Sequence, residues 1–597
     1  MALAHELSAA LEEGAKQTSS VAARKALDAL DPLVRLVALR RMKRLIERAR
    51  RETASDDPAH VLRVAALFAM KAAPEVSLDD PAAVEAELLL QGPRTIRKRL
   101  PWWTLAALVV VALGVATPFV LRRVLRPFDP RETAVGRALG DGLTDFVGAV
   151  AAGRSRALAG ARGEVIGEPT RKALGDDGVG RLGRLLDAAE RLAKAPPGSD
   201  GKPERDGFLA AADGLVHFLQ QKKLPYFVDA DVLSGTNGFR PVLMSSYVER
   251  EVDLVVGGRR IRALHLWRLD RLNLRFGALG YTRPRTPAAL VLLDHVETDL
   301  VRWVLPALPE GEAMELVDDE TALRPEAWVT DVQRRAAGVL RRHYAALARD
   351  PVVERVGRLL ARRRALVKKW QASLSGQGLT LQVPERLVPE RDYANELEVR
   401  ITRENLREWD RIHDDLLSPE TLAAFAKLRD RYTLSIERHE AQHRYDFSRG
   451  FVPLPELVMR MVGVDNPLDA PEGGYVASVR NEFSSYLAQL AQGPDSPLLD
   501  LVLMTRLSLS RYTVGTAHSH AAVTCLLAVG RELGIAPEPY LERGMRRRDV
   551  ADLFLAIVSH PPERIRTGAA AAYSKSFAEP LPSVTSRTVH DHSAWRH

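Results

Sequence analysis

Residues Pro101 to Leu121 read PWWTLAALVVVALGVATPFVL, 21 consecutive positions without a charge. As a helix rising 1.5 Å per residue, such a run is long enough to cross a hydrocarbon core of about 30 Å. Trp102 and Trp103 stand at one end, where aromatic rings favour a membrane interface. Arg94, Arg97, Lys98 and Arg99 precede the run, and Arg122, Arg123 and Arg126 follow it. A buried core helix of this length rarely carries basic clusters at both ends. The run also begins too late, behind too much charged sequence, to be a cleaved leader. No second run is comparable. The expectation is a single-pass membrane protein with one transmembrane helix, in contact with a lipid bilayer through residues 101–121.

The basic flanks balance one another, so orientation rests on the stretch DPLVRLVALRRMKRLIERARR (31–51), which places positive charge on the N-terminal side. That puts the N-terminal part inside and the larger C-terminal part outside. The expected location is the bacterial inner membrane with an extracytoplasmic C-terminal domain. A bacterial origin fits the heavy use of Arg, Ala and Leu.

At 597 residues the chain exceeds what a single core holds, so several domains are expected. Residues 1–92 read as helical: Leu33, Val34, Leu36, Val37, Leu39, Leu45 and Ile46 punctuate the basic stretch. This fits a small helical bundle or a helix lying on a membrane. Residues 93–126 hold the span and its flanks. Residues 127–324 read as a mixed α/β region, helical to about 220 with a loop at PPGSDGKPERDG (196–207). In its second half Val228, Ala230 and Val232 alternate with Phe227, Asp229 and Asp231. EVDLVVGGRRIRALHLW (251–267) reads as two strands around Gly257-Gly258, a hairpin signal, and AALVLL (288–293) is another run of strand length. From 325 to 579 helices dominate, with LTLQV (379–383) and LEVRI (397–401) as two strand-like runs, and 580–597 reads as a flexible tail. The expected fold class is mainly α with an α/β middle segment and a single transmembrane helix.

Composition narrows the chemistry. The one cysteine, Cys525, excludes a disulfide framework and any zinc site built on several thiolates, so a metal site here uses His and carboxylates. Cys525 sits in the apolar run AAVTCLLAVG, a packing context. A net charge of +8 spread over this length gives no footprint for nucleic acid, and none is expected as a partner. No G-x-S-x-G or phosphate-cradling G-x-x-x-x-G-K-[ST] occurs.

One string carries chemistry: ERHEAQHRYDFSRG, residues 437–450. On a helix, His439 and His443 lie one turn apart on one face and reach a common metal ion, while Glu440 sits beside them as a base for a metal-activated water. Ser418-Pro419-Glu420 is a helix start, Gly450 a helix stop, and Ile436, His439, Glu440, His443 and Phe447 fall on one stripe. Catalytic zinc usually takes three protein ligands and a water. Glu482, on a second helix RNEFSSYLAQLA (480–491), is the first choice for the third ligand, with Glu456 and Glu472 as alternatives. Downstream, YTVGTAHSHAAVTCLL (512–527) places His518 and His520 on a third helix. Asp446, one turn after His443, reads as a surface acid that could instead orient a ligand. HVETD (295–299) lacks ligand spacing and reads as structure, and the tail residues His590, His592 and His597 form no defined site.

HEAQH followed by Asn481-Glu482 and Ser485-Tyr486 resembles the two-helix motif of the gluzincin metallopeptidases over roughly residues 415–525. The resemblance implies a zincin-like helical C-terminal domain and Zn2+ held by His439, His443 and Glu482. It also implies Glu440 as the base and a downstream His or Tyr at the oxyanion, for which His520, His518 and Tyr486 are the candidates. The implied partner is a peptide or protein substrate, laid along a sheet edge such as LEVRI. The expected function is a membrane-anchored zinc metallopeptidase. The alternative is a non-catalytic envelope scaffold or binding protein with a degenerate or structural metal site.

Overall fold

The computed structural model describes residues 130–592 apart from 197–199, 236–237, 271–278, 284, 318–325, 346–350, 376–386, 388–402, 451, 467–473, 512 and 536–544. The chain divides into two compact units, Met1–Arg126 and Pro127–His597, and every described residue belongs to the second.

The expectation of a single-pass membrane protein is corrected. No helix among the described residues is long and apolar enough to cross a membrane. The run at 101–121 lies outside those residues, as do 1–92 and the strand-like runs LTLQV and LEVRI. The described molecule is mainly helical with one curled six-stranded sheet. Its long helices mix charged with apolar positions, so they are satisfied by a protein neighbour on one face and water on the other.

The sheet forms where the apolar alternation and its turns dictate. Strands β1 (Tyr226–Gly235) and β2 (Gly238–Val256) make one antiparallel hairpin, and β2 turns into β3 (Arg259–Arg268) at Gly257-Gly258. Both glycines take positive φ, 53° and 80°, as a tight two-residue hairpin turn requires. β4 (Gly280–Tyr281) pairs antiparallel with β5 (Ala288–Leu292), and β5 runs parallel to β3, giving the order β1-β2-β3-β5-β4. Tyr247 of β2 pairs with Tyr226 on one side and Trp267 on the other, so β1 and β3 occupy opposite edges of β2. The far half of β2, Arg250–Val256, is then free on the β1 side, and β6 (Val584–Asp591) fills it.

β6 corrects a second expectation. Within the segment 580–597, read as a flexible tail, of which 593–597 lie outside the described residues, Val584–Asp591 form a paired strand, with the backbone of Gly257 also donating to Ser583. Its side chains are almost all exposed, so it shows little of the apolar alternation that marks a strand in sequence. Its place is held by the backbone ladder.

Helices cover both faces of the sheet. Helices α1 (Glu168–Ala193, broken at Gly175) and α2 (Lys202–Gln221) share a core with β1 and β2 through Leu182, Leu185, Phe208 and Phe218. On the other face lies α3 (Pro419–Arg449), the HEAQH helix. Val252, Leu254 and Val256 of β2 and Ile261 and Ala263 of β3 point to one side, following the two-residue period of a strand. Together with Ala289 they enclose Ala441 of α3. Helices α4 (Tyr475–Gln492), α5 (Ala517–Glu532) and α6 (Pro562–Phe577) build the principal core on the far side of α3, around Phe483, Leu487, Leu526 and Tyr573. The sheet and the HEAQH helix therefore share a core, and the boundary expected at 324/325 does not separate them.

Candidate metal centre

Local sequence places the ligands. Ser418 caps α3, its hydroxyl accepting from the Thr421 amide, Pro419 opens the helix, and Gly450 ends it at φ 80°. Within that helix His439, Glu440, Ala441, Gln442 and His443 are all buried. His439 and His443 face α4, whereas Ala441 faces the sheet.

His439, His443 and Glu482 form a group whose ligand atoms all lie within 4.8 Å of one another, and it can hold a metal ion. The two Nε2 atoms are 3.1 Å apart. His439 Nε2 is 3.3 Å from Glu482 Oε2, and His443 Nε2 is 3.5 Å from Glu482 Oε1. Around a tetrahedral ion with bonds of about 2.0–2.2 Å, neighbouring ligand atoms stand about 3.3–3.6 Å apart. The Nε2 pair is a little closer than that spacing and the two distances to Glu482 run to different carboxylate oxygens, while the donors, two imidazole nitrogens and a carboxylate, suit a transition ion. Of the alternative third ligands, Glu456 is exposed on another helix and Glu472 lies outside the described residues.

The outer contacts orient His439. Its Nδ1 is 3.0 Å from Gln489 Oε1, and Gln489 Nε2 donates to Asp500 at 2.9 Å and to Ser435 at 3.3 Å. The amide nitrogen of Gln489 faces Asp500 and its amide oxygen, which only accepts, faces His439. His439 then carries its proton on Nδ1 and presents a lone pair at Nε2, the form a ligand needs. Burial lowers the His439 pKa to about 4 and keeps the ring neutral. Burial also acts to lower His443, but the carboxylate of Glu482, with Glu440 and Asp446, outweighs it and raises that ring to about 9. Glu482 is driven upward by burial, yet His443 and His518 hold it well below the ordinary carboxylate range.

Glu440 is buried and faces the edge of the sheet. Thr282 Oγ1 donates to its Oε2 at 3.0 Å. A Cβ on Gly280 would stand 2.6 Å from Glu440 Cγ and 2.5 Å from the Leu290 carbonyl, so only glycine lets β4 approach this closely. Burial pushes the Glu440 carboxyl up to about 7.

The other expected residues separate. Tyr486 is buried with its ring 4.8 Å from that of His439. His518 Nδ1 reaches Glu482 Oε2 at 3.0 Å. His520, expected in a catalytic role, points elsewhere: its Nδ1 is 2.6 Å from the hydroxyl of Tyr475, and it is not among the ligand group. The reason is helical, since residues two apart face different sides. Asp446, read as a surface acid, is buried, accepts from Gln442 Nε2 at 2.9 Å, and is pushed up to about 6 by burial. Gln489, Asp500, Ser435, Thr282 and Gly280 were not singled out from sequence. Gln489 alone carried a usable signal, standing seven residues after Glu482 and so two turns along the same face.

Compared with known proteins, the chain matches no family model, no curated protein and no solved structure. The reading of the site therefore rests on its own geometry.

Proposed function

We propose that the chain is a zinc-dependent hydrolase of peptide bonds, with a gluzincin-like centre formed by His439, His443 and Glu482. The observation that carries the reading is the convergence of two imidazole Nε2 atoms and one carboxylate within 4.8 Å, beside a buried glutamate that is not among the ligands. Zinc, when bound, supplies Lewis acidity and lowers the pKa of a water at its open position. Glu440 is the proton carrier. Its burial between α3 and β4 keeps its affinity for a proton close to neutrality, as a group that first takes and then returns a proton requires. Thr282 fixes the carboxylate by donating to Oε2. β4, the end strand of the sheet among the described residues, lies against Glu440. An extended peptide pairing with that edge would bring its backbone past the base.

The test is zinc stoichiometry on the purified chain beside a His439→Ala/His443→Ala variant, followed by peptide cleavage with Glu440→Gln as the control. The expected result is about one zinc per chain, lost in the double variant, and a turnover about 10²–10⁴-fold lower in Glu440→Gln with zinc retained. Absence of zinc from the folded wild-type chain when zinc is supplied would sink the reading. Bound zinc without cleavage of any peptide would leave a structural metal site in a scaffold.

A further inference from the structure

We infer that Asp229 is a positioning residue for Glu440: it fixes the strand end whose Thr282 steadies that base, and the inference rests on the metallopeptidase reading above. Successive residues of β4 and its continuation face opposite sides, as in any strand. On one side, Gly280 packs against Glu440 and Thr282 donates to its Oε2. On the other, Tyr281 packs with Phe227 of β1, Val248 of β2, Leu264 of β3 and Leu290 of β5. Asp229, two residues after Phe227 on β1, adds a carboxylate to that second side, and it is only 3% exposed. Its Oδ2 accepts from the Tyr281 hydroxyl at 2.9 Å and lies 3.3 Å from Arg283 Nη1. Its Oδ1 accepts from Arg285 Nη2 at 3.0 Å. Thr282 is therefore flanked in the chain by two residues that meet one carboxylate.

The backbone alone gives β4 little hold. Its ladder to β5 is two residues long, Gly280 opposite Val291 and Tyr281 opposite Leu290, with one further bond from the Leu292 amide to the Leu279 carbonyl. β1 and β4 stand at opposite ends of the strand order and share no ladder among the described residues, so side chains close the curl of the sheet there. Arg285 also donates to the Ala230 carbonyl of β1 at 2.5 Å and pairs with Asp213 of α2. Arg283 pairs with Asp231 at 3.0 Å and lies over the Tyr281 ring. A buried carboxylate costs free energy unless it is paired, and an apolar residue at 229 would extend the cluster around Phe227 without that cost. The partners that offset it are three side chains from the segment that carries Thr282. Moving that segment moves Thr282, whereas His439, His443 and Glu482 sit on α3 and α4.

The experiment is a double-mutant cycle between Asp229→Asn and Thr282→Val in the full, zinc-loaded chain. The probe is a quenched-fluorescent library of random peptides, with kcat taken per folded molecule on the peptide that the wild-type chain cleaves fastest. Asn keeps the size of Asp229 and removes its charge, while Val keeps the shape of Thr282 and removes its hydroxyl. Each single variant is expected to lower kcat by about 10- to 100-fold with zinc affinity unchanged. The double variant is expected to stay within about twofold of Thr282→Val, because the route through Thr282 is already cut. A purely structural role for Asp229 would instead add its loss to that of Thr282→Val. Tyr281→Phe keeps the ring in its cluster and gives up one bond to Asp229; it decides the cycle by the same outcomes if Asp229→Asn does not fold. Losses that multiply in the double variant, full activity in either single variant, or a fall in the zinc affinity of Asp229→Asn would each overturn the inference and leave the metallopeptidase reading standing. A wild-type chain that binds no zinc, or that cleaves no peptide of the library, would overturn that reading, and this inference with it.

Discussion

Helix α3 buries polar groups on two of its faces, and the two are organised on opposite principles. Toward the sheet, Arg429 meets Glu249 at 3.2 Å, the indole of Trp267 donates to the same carboxylate, and His265 Nε2 lies 2.7 Å from Glu437. Each donor there faces an acceptor, and the guanidinium also lies over the Trp267 ring. Toward α4, two imidazole Nε2 atoms face each other at 3.1 Å and both face one carboxylate. Donor–acceptor pairing inside the protein accounts for the first face. The second gathers two imidazole nitrogens and a carboxylate oxygen within 4.8 Å of one another, a group that can hold a metal ion. Both faces are buried, so the grouping of possible ligand atoms, rather than polarity as such, separates a paired network from a group that can hold a metal ion.

The largest expected effect tests the sheet side. Arg429→Met removes the cation beside Glu249 and leaves its carboxylate, which still accepts from the neutral Trp267 indole, in the interior, since both side chains are only 3% exposed. Loss of one partner of a buried pair costs about 3–5 kcal/mol, to be read from the urea midpoint. Zinc bound per folded molecule should not change. A variant as stable as the parent, or one that loses zinc while folded, would erase the distinction between the two faces.

The next effect sharpens the α4 side. Gln489→Leu removes the acceptor for His439 Nδ1 and leaves the three ligands in place. Outer contacts of this kind contribute about 10- to 100-fold in metal affinity, which sets the expectation for a zinc competition titration. An unchanged affinity would mean that packing alone, including Tyr486 against the His439 ring, orients the ligand.

Both faces were unequally legible in the sequence. His439 and His443 are four residues apart on one helix, so local spacing pointed to them, and the resemblance carried by Asn481-Glu482 pointed to Glu482, with which they form a group that can hold a metal ion. The hairpin at Gly257-Gly258 was legible for the same reason: two residues in succession need positive φ. Thr282 and Gly280 lie about 160 positions from Glu440 and approach it only because β4 closes the end of the sheet. The pairing of Glu437 with His265 spans 172 positions, and no local pattern announces it. β6 was hidden because its side chains meet water, and the backbone hydrogen bonds that define it leave no mark on residue choice. His520 was misplaced because two histidines two residues apart are equivalent on paper, and only the register of α5 against α4 shows which of them faces Glu482.

The smallest effect asks how far the organisation around the metal extends. Ser435 donates to Asp500, 2.9 Å from either oxygen, and Asp500 in turn accepts from Gln489 at 2.9 Å. Ser435 also accepts from Gln489 Nε2 at 3.3 Å, and is thus two steps removed from His439. Ser435→Ala should cost about 1 kcal/mol in stability and leave zinc affinity in place, because Asp500 still holds the Gln489 amide. The cost should depend on pH in a definite direction. Burial raises the Asp500 carboxyl to about 7, so the stability of its protonated form is fully present below the ordinary carboxylate range and is lost as pH rises through about 7. The Ser435 hydroxyl favours the ionised form, so removing it raises that pKa further. The loss in Ser435→Ala should therefore be greater at about pH 8 than at about pH 5. A larger loss at the lower pH would show that Ser435 serves the neutral acid instead. A matching fall in zinc affinity would carry the metal's organising shell out to α3's own hydroxyl, and the two faces of the helix would differ less than their geometry implies.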